Sequence, residues 1–102
     1  MENLTKEIIL EEIEKNKQTL KKLGVKTLTL FGSFARDEQK KSSDIDFLVE
    51  FEEGRGLFDD YMGALHFLEE LFNKKIDLVK PHLVKNALKP YILEGVKYDT
   101  KI

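Results

Sequence analysis

A chain of 102 residues, 41% apolar and 35% charged, has the composition of one compact domain rather than of a disordered segment. Its formal net charge of -2 argues against general nucleic-acid binding, which needs excess Lys and Arg to neutralise phosphates. The lack of Cys excludes disulfides, Cys-ligated zinc and thiol catalysis. The opening residues, MENLTKEIILEEIEK, contain many acids and no long apolar stretch, so we expect no signal peptide and no membrane anchor, and a cytoplasmic location.

The first quarter of the chain reads as a helix followed by a strand. Apolar residues recur at helical spacing over residues 4–23, with Thr5 as the cap and Gly24 as the stop. Residues 25–31 then supply the apolar and β-branched side chains that strands favour. The sequence therefore predicts one long helix that leads directly into a first strand.

A short helical turn and a polar loop separate this strand from the next one. Gly32 ends the first strand, and Ser33 is predicted to be the N-cap of a turn that reaches Arg36. Residues 37–43 form a polar loop, and residues 45–51 alternate in the manner of a strand with one apolar face.

The remaining elements are a turn over 53–56, a helix over 57–72, a strand over 76–79 and short helices around 82–88 and 90–94. The predicted apolar stripe of the long helix comprises Leu57, Phe58, Tyr61, Met62, Leu65, Leu68, Leu71 and Phe72. A helix-length connection makes the second and third strands parallel, whereas the first pair could run either way. The fold class is thus α/β (α+β), with a small mixed sheet backed by helices.

Carboxylates stand inside two of the predicted strands, where apolar side chains are expected. Asp44 and Asp46 fall on one face, roughly 6.5 Å apart along the strand, and Asp77 stands in the third strand. Carboxylates this close repel each other, and a divalent cation is the most direct relief. Oxygen-only ligands favour Mg²⁺ or Mn²⁺ over zinc, and three Asp can hold two such ions for phosphoryl chemistry. A single Asp at a strand end is more often a solvated residue or a turn cap.

The Gly32-Ser33 pair is a possible phosphate holder. It places free backbone N–H groups at the start of a helical turn, and the Ser33 hydroxyl can donate to a phosphate oxygen. Arg36 lies one turn further on and could hold phosphate or pin the polar loop. A lone Gly-Ser is usually an ordinary strand-to-helix turn, so the pair is informative only in combination with the acids.

The combination of Gly32-Ser33 with a downstream Asp44-Ile45-Asp46 resembles the signature of the DNA polymerase β-like nucleotidyltransferase superfamily. Within that superfamily, GSFAR, SDIDFLVEF and the later KKIDLV resemble the minimal nucleotidyltransferase (MNT) domain. The resemblance covers nearly the whole chain, because that domain is about this long. It implies the nucleotidyltransferase fold and a single domain over residues 1–102.

The resemblance also assigns roles to the residues that match the motif. Gly32 and Ser33 would hold the triphosphate of ATP, while Asp44 and Asp46 would bind two Mg²⁺. Asp77 would join one metal and help to deprotonate the acceptor hydroxyl. An oxygen nucleophile would then attack the α-phosphate, and pyrophosphate would leave.

Three further positions bear on the implied nucleotide site. Arg36 completes the Gly-Ser segment, and Ser43 matches a Ser that the family often has just before its paired acids. Many relatives carry Gly after the Arg, whereas this chain has Asp37. That departure puts the geometry of the loop in doubt and leaves the set of acids complete.

Family members of this size resemble the antitoxin half of HEPN/MNT toxin–antitoxin systems. In those systems the MNT protein pairs with a helical HEPN ribonuclease and can transfer AMP from ATP to a tyrosine of it. The resemblance predicts a Mg²⁺-dependent protein adenylyltransferase that acts as an antitoxin within a hetero-oligomer. Two alternatives stay open: a non-catalytic module that neutralises its partner by covering it, and nucleotidyl transfer to a small molecule with the help of a partner subunit.

Overall fold

The computed structural model describes residues 3–83 and 95–102. In chain order the elements are α1 (Lys6–Lys15), α2 (Lys17–Lys22), β1 (Val25–Phe31), α3 (Gly32–Ala35), β2 (Ile45–Phe51), α4 (Phe58–Phe72), β3 (Ile76–Val79), a 3₁₀ turn (Pro81–Leu83) and β4 (Tyr98–Lys101). The bounds of β1, β2 and β3 are those that the sequence predicts.

The strands form one mixed, four-stranded sheet in the order β3-β2-β1-β4. β2 and β3 are parallel, as the connection through α4 predicts. β1 and β2 are antiparallel, which settles the orientation that the sequence left open. β4 pairs antiparallel with β1 and was not predicted, because YDTK is short and carries two charged residues.

One face of the sheet packs against the helices and forms the core. The buried apolar residues come from all three of the predicted strands and from every helix: Ile9, Ile13, Leu20, Val25, Leu28, Leu30, Phe34, Ala35, Ile45, Phe47, Val49, Ala64, Leu68, Phe72, Ile76 and Leu78. Since side chains alternate along a strand, the intervening positions point to the other face. That second face carries Asp46 and Asp77.

The predicted first helix is interrupted at Asn16. The Asn16 side chain donates to the backbone oxygen of Glu12 at 2.8 Å, and its backbone N–H also turns back to that carbonyl. The Asn16 amide competes for the helix carbonyls, so α1 ends at Lys15 and α2 begins at Lys17. Thr5 caps α1 as predicted, because its Oγ1 accepts from the backbone N–H of Ile8 at 3.3 Å.

The beginnings of α3 and α4 also differ from prediction. α3 begins at Gly32 with Phe31 in the cap position, so Ser33 lies inside the first turn and is not the N-cap. α4 begins at Phe58, and both Leu57 and Phe58 are exposed, at 78% and 75%. These two residues therefore lie outside the buried stripe that the sequence predicts, whereas Ala64, which that stripe omits, is buried.

The last predicted helices fall mainly outside the described residues. Pro81–Leu83 form a 3₁₀ turn at the start of the predicted 82–88 helix, while residues 84–94, which include the predicted 90–94 helix, are not described. Across 3–83 and 95–102, none of the helices has the length and apolar character that crossing a bilayer requires.

Candidate active site

The register of the sheet places two of the predicted acids side by side. In the parallel β2–β3 pair, Asp46 stands opposite Asp77. In the antiparallel β1–β2 pair, Asp46 stands opposite Phe31, the residue that precedes Gly32. Asp46 is therefore flanked by Asp77 on one neighbouring strand and by the Gly-Ser turn on the other.

Gly32 lies directly against the Asp46 carboxylate. A Cβ built on Gly32 would stand 2.0 Å from Asp46 Oδ2, a separation that no side chain tolerates. Gly32 also has a φ of 77°, in the region that favours glycine. Glycine is required here both for the turn and for the close approach of the backbone to the acid.

Without a bound metal ion, little positive charge lies near the Asp46 carboxylate to offset its negative charge. Burial, followed by the charges of Asp77 and Asp44, raises the pKa of Asp46 to about 6, and only the Arg36 charge acts in the opposite direction. The three predicted acids thus lie close enough to influence one another. A cation bound among them would offset both the burial and the mutual repulsion.

Asp44, Asp46 and Asp77 together form the acid group, and Asp44 and Asp77 lie on its more open side. Asp77 is exposed on β3, and Asp44, which precedes β2, has its Oδ2 at 3.9 Å from Lys75 Nζ. The sequence predicts no basic partner inside either strand, and Lys75 lies one position before β3 begins. The sequence favours a solvated Lys74-Lys75 pair and does not predict that Lys75, which immediately precedes the IDLV strand, lies near Asp44.

The three acids offer the oxygen donors that Mg²⁺ binds, but their side chains are not clustered closely enough to enclose an ion. Throughout the part of the chain that the structure describes, no three or more His, Cys, Asp or Glu side chains are grouped closely enough to hold a metal ion. The donors are nevertheless all carboxylate oxygens, which Mg²⁺ prefers, and Asp46 is crowded by two others. The residues present therefore suit a magnesium ion by donor type and by charge.

Two of the predicted nucleotide-binding side chains, Arg36 and Ser43, are engaged within the polar loop. Ser43 Oγ accepts from the backbone N–H of Lys40 at 2.8 Å and closes a turn there. Arg36 Nε donates to Glu38 Oε1 at 3.2 Å, and the backbone oxygen of Ser33 accepts from the N–H of Glu38 at 2.9 Å. These contacts hold the loop, and nucleotide contact by Ser33, Arg36 and Ser43 stays a prediction.

The family model described as a nucleotidyltransferase domain matches residues 7–102. The chain belongs to this family. Its fold and its sequence motif agree with that membership, and the protein is accordingly a nucleotidyltransferase.

Curated relatives match almost the full length of the chain. A Methanocaldococcus jannaschii protein named as a candidate protein adenylyltransferase is 39% identical over 93 residues, covering 89% of this chain and 90% of the relative. A second such protein from that organism is 46% identical over 74 residues, covering 72% of this chain and 78% of the relative. The protein adenylyltransferase MntA of Thermococcus cleftensis is 34% identical over 96 residues, covering 89% and 96%.

Solved structures share the architecture. A structure described as a candidate minimal nucleotidyltransferase superposes with a TM-score of 0.75 at 30% identity, covering 91% of this chain and 94% of the other. A toxin–antitoxin complex with AMP-PNP gives a TM-score of 0.59 at 18% identity, covering 91% and 68%. A mutant of the toxin–antitoxin complex MntA–HpeT gives 0.60 at 17% identity, covering 94% and 71%. These last two likenesses concern the fold alone.

The structure explains the position at which this nucleotidyltransferase departs from the family pattern. Asp37 has a φ of 58°, in the left-handed region that Gly adopts most easily and that Asp tolerates better than most residues. Its Oδ2 pairs with Lys6 Nζ of α1 at 2.8 Å. The Asp37 carboxylate thus has its own cationic partner and anchors the loop to α1.

Proposed function

We propose that this nucleotidyltransferase is a Mg²⁺-dependent protein adenylyltransferase, which transfers AMP from ATP to a tyrosine of a partner HEPN ribonuclease and so acts as its antitoxin. The observation that carries the proposal is the position of Asp46, between Asp77 and Gly32 and with a raised pKa. Relatives that are named as protein adenylyltransferases support protein as the acceptor. The fold shared with toxin–antitoxin complexes supports a toxin as the partner.

Asp44, Asp46 and Asp77 are the residues that would hold Mg²⁺, with two ions expected and Mn²⁺ as a substitute. The metal would supply positive charge against the phosphates and against the crowded carboxylates. Gly32 and Ser33 would hold the triphosphate at the turn, where Gly32 lets the backbone lie close to Asp46 and the Ser33 hydroxyl would donate to a phosphate oxygen. Arg36 and Ser43 would have to exchange their loop contacts for phosphate contacts.

The reaction itself requires positioning more than covalent participation by the protein. The hydroxyl oxygen of the acceptor tyrosine forms a bond to the α-phosphorus of ATP. The bond between that phosphorus and the α–β bridging oxygen breaks, and pyrophosphate leaves with the electron pair. Asp77 takes the proton of the hydroxyl, and its exposure on β3 leaves it accessible to a partner protein.

The proposal includes the organisation of the protein. Residues 1–102 would act as one catalytic domain in the cytoplasm, and the HEPN partner would bring the acceptor within the resulting hetero-oligomer. The partner thereby provides both the acceptor residue and the surface that positions it.

The test is transfer of radiolabel from α-labelled ATP to the HEPN partner in the presence of Mg²⁺. We expect the wild-type protein to label the partner and the Asp44→Asn/Asp46→Asn variant to label it at least about 100-fold more slowly, since charge stabilisation supplies most of the rate in such reactions. The matched control is Glu11→Gln/Glu14→Gln on α1, which removes two exposed carboxylates and should label normally. Equal labelling by the double Asn variant would overturn the assigned site.

The same variant separates this proposal from the other two readings of the sequence. A growth assay with co-expressed toxin should show that the double Asn variant no longer protects the cell. Full protection by that variant would identify a module that neutralises by binding alone. Labelling of a small molecule with no labelling of the partner would indicate the third reading.

A further inference from the structure

A cavity of about 590 Å³ lies between the beginning of α1, the end of α4 and the polar loop that follows α3. Its lining includes Thr5, Phe34, Gln39, Lys40, Lys41 and Lys74. The Gly-Ser turn and the three predicted catalytic acids are absent from this lining. Its volume is in the range of small-molecule sites.

The charge at this cavity is uniformly positive. Lys40, Lys41 and Lys74 line it, and none of its described lining residues is Asp or Glu, although the chain has 19 acids against 17 bases. Lys74 Nζ donates to the backbone oxygen of Lys41 at 2.9 Å, so the tertiary structure brings together two lysine pairs that are distant in sequence.

The surrounding acids and helix ends leave this positive charge in place. Asp37 and Glu38, which precede the lysines in the loop, are already paired with Lys6 and Arg36. The beginning of α1, with its partial positive charge, reaches the cavity at Thr5. The opposite partial charge, at the end of α4, lies two residues before Lys74.

Two of the lining side chains are aromatic and almost fully buried, and one lining residue has an unsatisfied polar atom. Phe34 and Phe72 line the cavity, and Lys74 Nζ lies 5.9 Å from the centre of the Phe34 ring. The side-chain oxygen of Gln39 is buried and has no hydrogen-bond partner among the described residues, while its amide nitrogen makes only a 3.5 Å contact to the Leu4 oxygen. A buried oxygen of this kind is normally paired with a donor. It is closed to solvent, so the groups that an anion in the cavity can contact are the lysines.

We propose that this cavity is an anion-binding site for a polyphosphate group, such as the triphosphate of ATP, separate from the catalytic acids. The phosphates lie against Lys40, Lys41 and Lys74. This inference stands apart from the proposed function, because none of the residues that carry it belongs to the reacting site.

The test is isothermal titration calorimetry with ATP in the presence of EDTA. Because the acid group repels metal-free ATP, the nucleotide should bind at the lysines. We expect one site in the wild-type protein and binding weaker by about tenfold or more in Lys41→Gln/Lys74→Gln, since each lost charge-assisted contact weakens an anion complex. The matched control, Lys21→Gln/Lys22→Gln on α2, removes the same charge and should bind normally. Thermal melting checks that the variants fold.

A second arm identifies the ligand. Inorganic triphosphate should bind as ATP does and weaken by a similar factor in Lys41→Gln/Lys74→Gln, whereas no binding of triphosphate would overturn the assignment of the site to the phosphates. Unchanged ATP binding by Lys41→Gln/Lys74→Gln, or its loss in Asp44→Asn/Asp46→Asn, would overturn the separate site. Labelling of the HEPN partner should be normal in Lys41→Gln/Lys74→Gln, so failure of this inference and failure of the proposed function are distinguishable.

Discussion

Gly32 is the residue on which the site depends most directly. It combines a φ of 77° with a backbone that approaches the Asp46 carboxylate so closely that a Cβ would be 2.0 Å from Oδ2. A substitution here therefore has two separable costs. One is backbone strain, and the other is displacement of the acid from its place beside the turn.

We expect Gly32→Ala to lower the free energy of unfolding by about 1–3 kcal/mol and to reduce labelling of the partner by about 100-fold or more. The matched control is Gly54→Ala, because Gly54 has a φ of 79° and nothing within 4 Å of its Cβ position. The control should share the backbone cost, measured by denaturant unfolding, and keep its activity. Normal labelling by Gly32→Ala would contradict the proposed contact between the turn and the acid.

Asp37 departs from the family pattern, and its own backbone conformation and ion pair explain how it is accommodated. The sequence leaves open whether this carboxylate faces the phosphate turn. Its φ of 58° lies in the region that suits the Gly that the family resemblance leads one to expect there, and its carboxylate forms an ion pair with Lys6. The sequence contains both residues, but only the fold places α1 beside the loop.

Among the elements, the turn before α4 is held by one pair of side chains. The guanidinium of Arg55 makes two hydrogen bonds to Asp60, of 2.7 and 2.8 Å, and donates to the backbone oxygen of Lys22 at 3.0 Å. Asp60 also accepts from the N–H of Gly56 at 2.9 Å. This group ties α2 and the turn to the first turn of α4.

We expect Asp60→Asn to lower the melting temperature clearly more than Asp59→Asn, an exposed neighbour that carries the same charge on the same helical turn. The Arg55 hydrogen bonds, and then the Gly56 N–H, lower the pKa of Asp60 to about 2. Because the folded pKa is depressed, this contribution is complete above the unfolded value of about 4 and is lost as pH falls towards 2. Equal melting temperatures for the two variants would show that the hydrogen bonds of Asp60 with Arg55 and Gly56 do not stabilise the fold.

The parallel pairing of β2 with β3 is the element-scale feature that builds the site. It was predictable, because α4 is long enough for a crossover between parallel strands. The register was not predictable, since a shift by one residue would send Asp77 to the opposite face from Asp46. The core residues Ile76 and Leu78, which flank Asp77 on the helix-covered face, fix that register through burial.

For the molecule as a whole, the acid group makes metal-free stability depend on pH. The pKa of Asp46 is about 6 in the folded protein, raised by burial and by Asp77 and Asp44, against an ordinary value of 3.8. The folded state then holds more protons than the unfolded state between these values. Stability must therefore fall as pH rises through this window.

We expect chemical denaturation of the metal-free protein to show a decline in unfolding free energy from about pH 4 to pH 6, which Asp46→Asn largely removes. Under the proposed function, Mg²⁺ should restore stability to the wild-type protein above pH 6 and leave Asp46→Asn almost unchanged. A Glu11→Gln control should behave as the wild type does. A pH profile of Asp46→Asn identical to that of the wild type would exclude this carboxylate as the cause.

By itself, the sequence determined the bounds of the first three strands, the mixed sheet backed by helices, and the motif that the family match bears out. These features follow from local patterns, namely alternation, helical spacing and turn residues. The break at Asn16 is also local, but a side-chain amide inside a helical pattern gives an ambiguous signal.

Only the tertiary structure decided the pairing of β4 with β1, the contact of Gly32 with Asp46, and the approach of Lys75 to Asp44. It also brought Lys74 to the loop that carries Lys41, where the sequence shows only separate charged pairs. The physical reason is the same in each case. Such contacts join residues whose proximity depends on strand register and helix packing, and the burial of the shared core sets both.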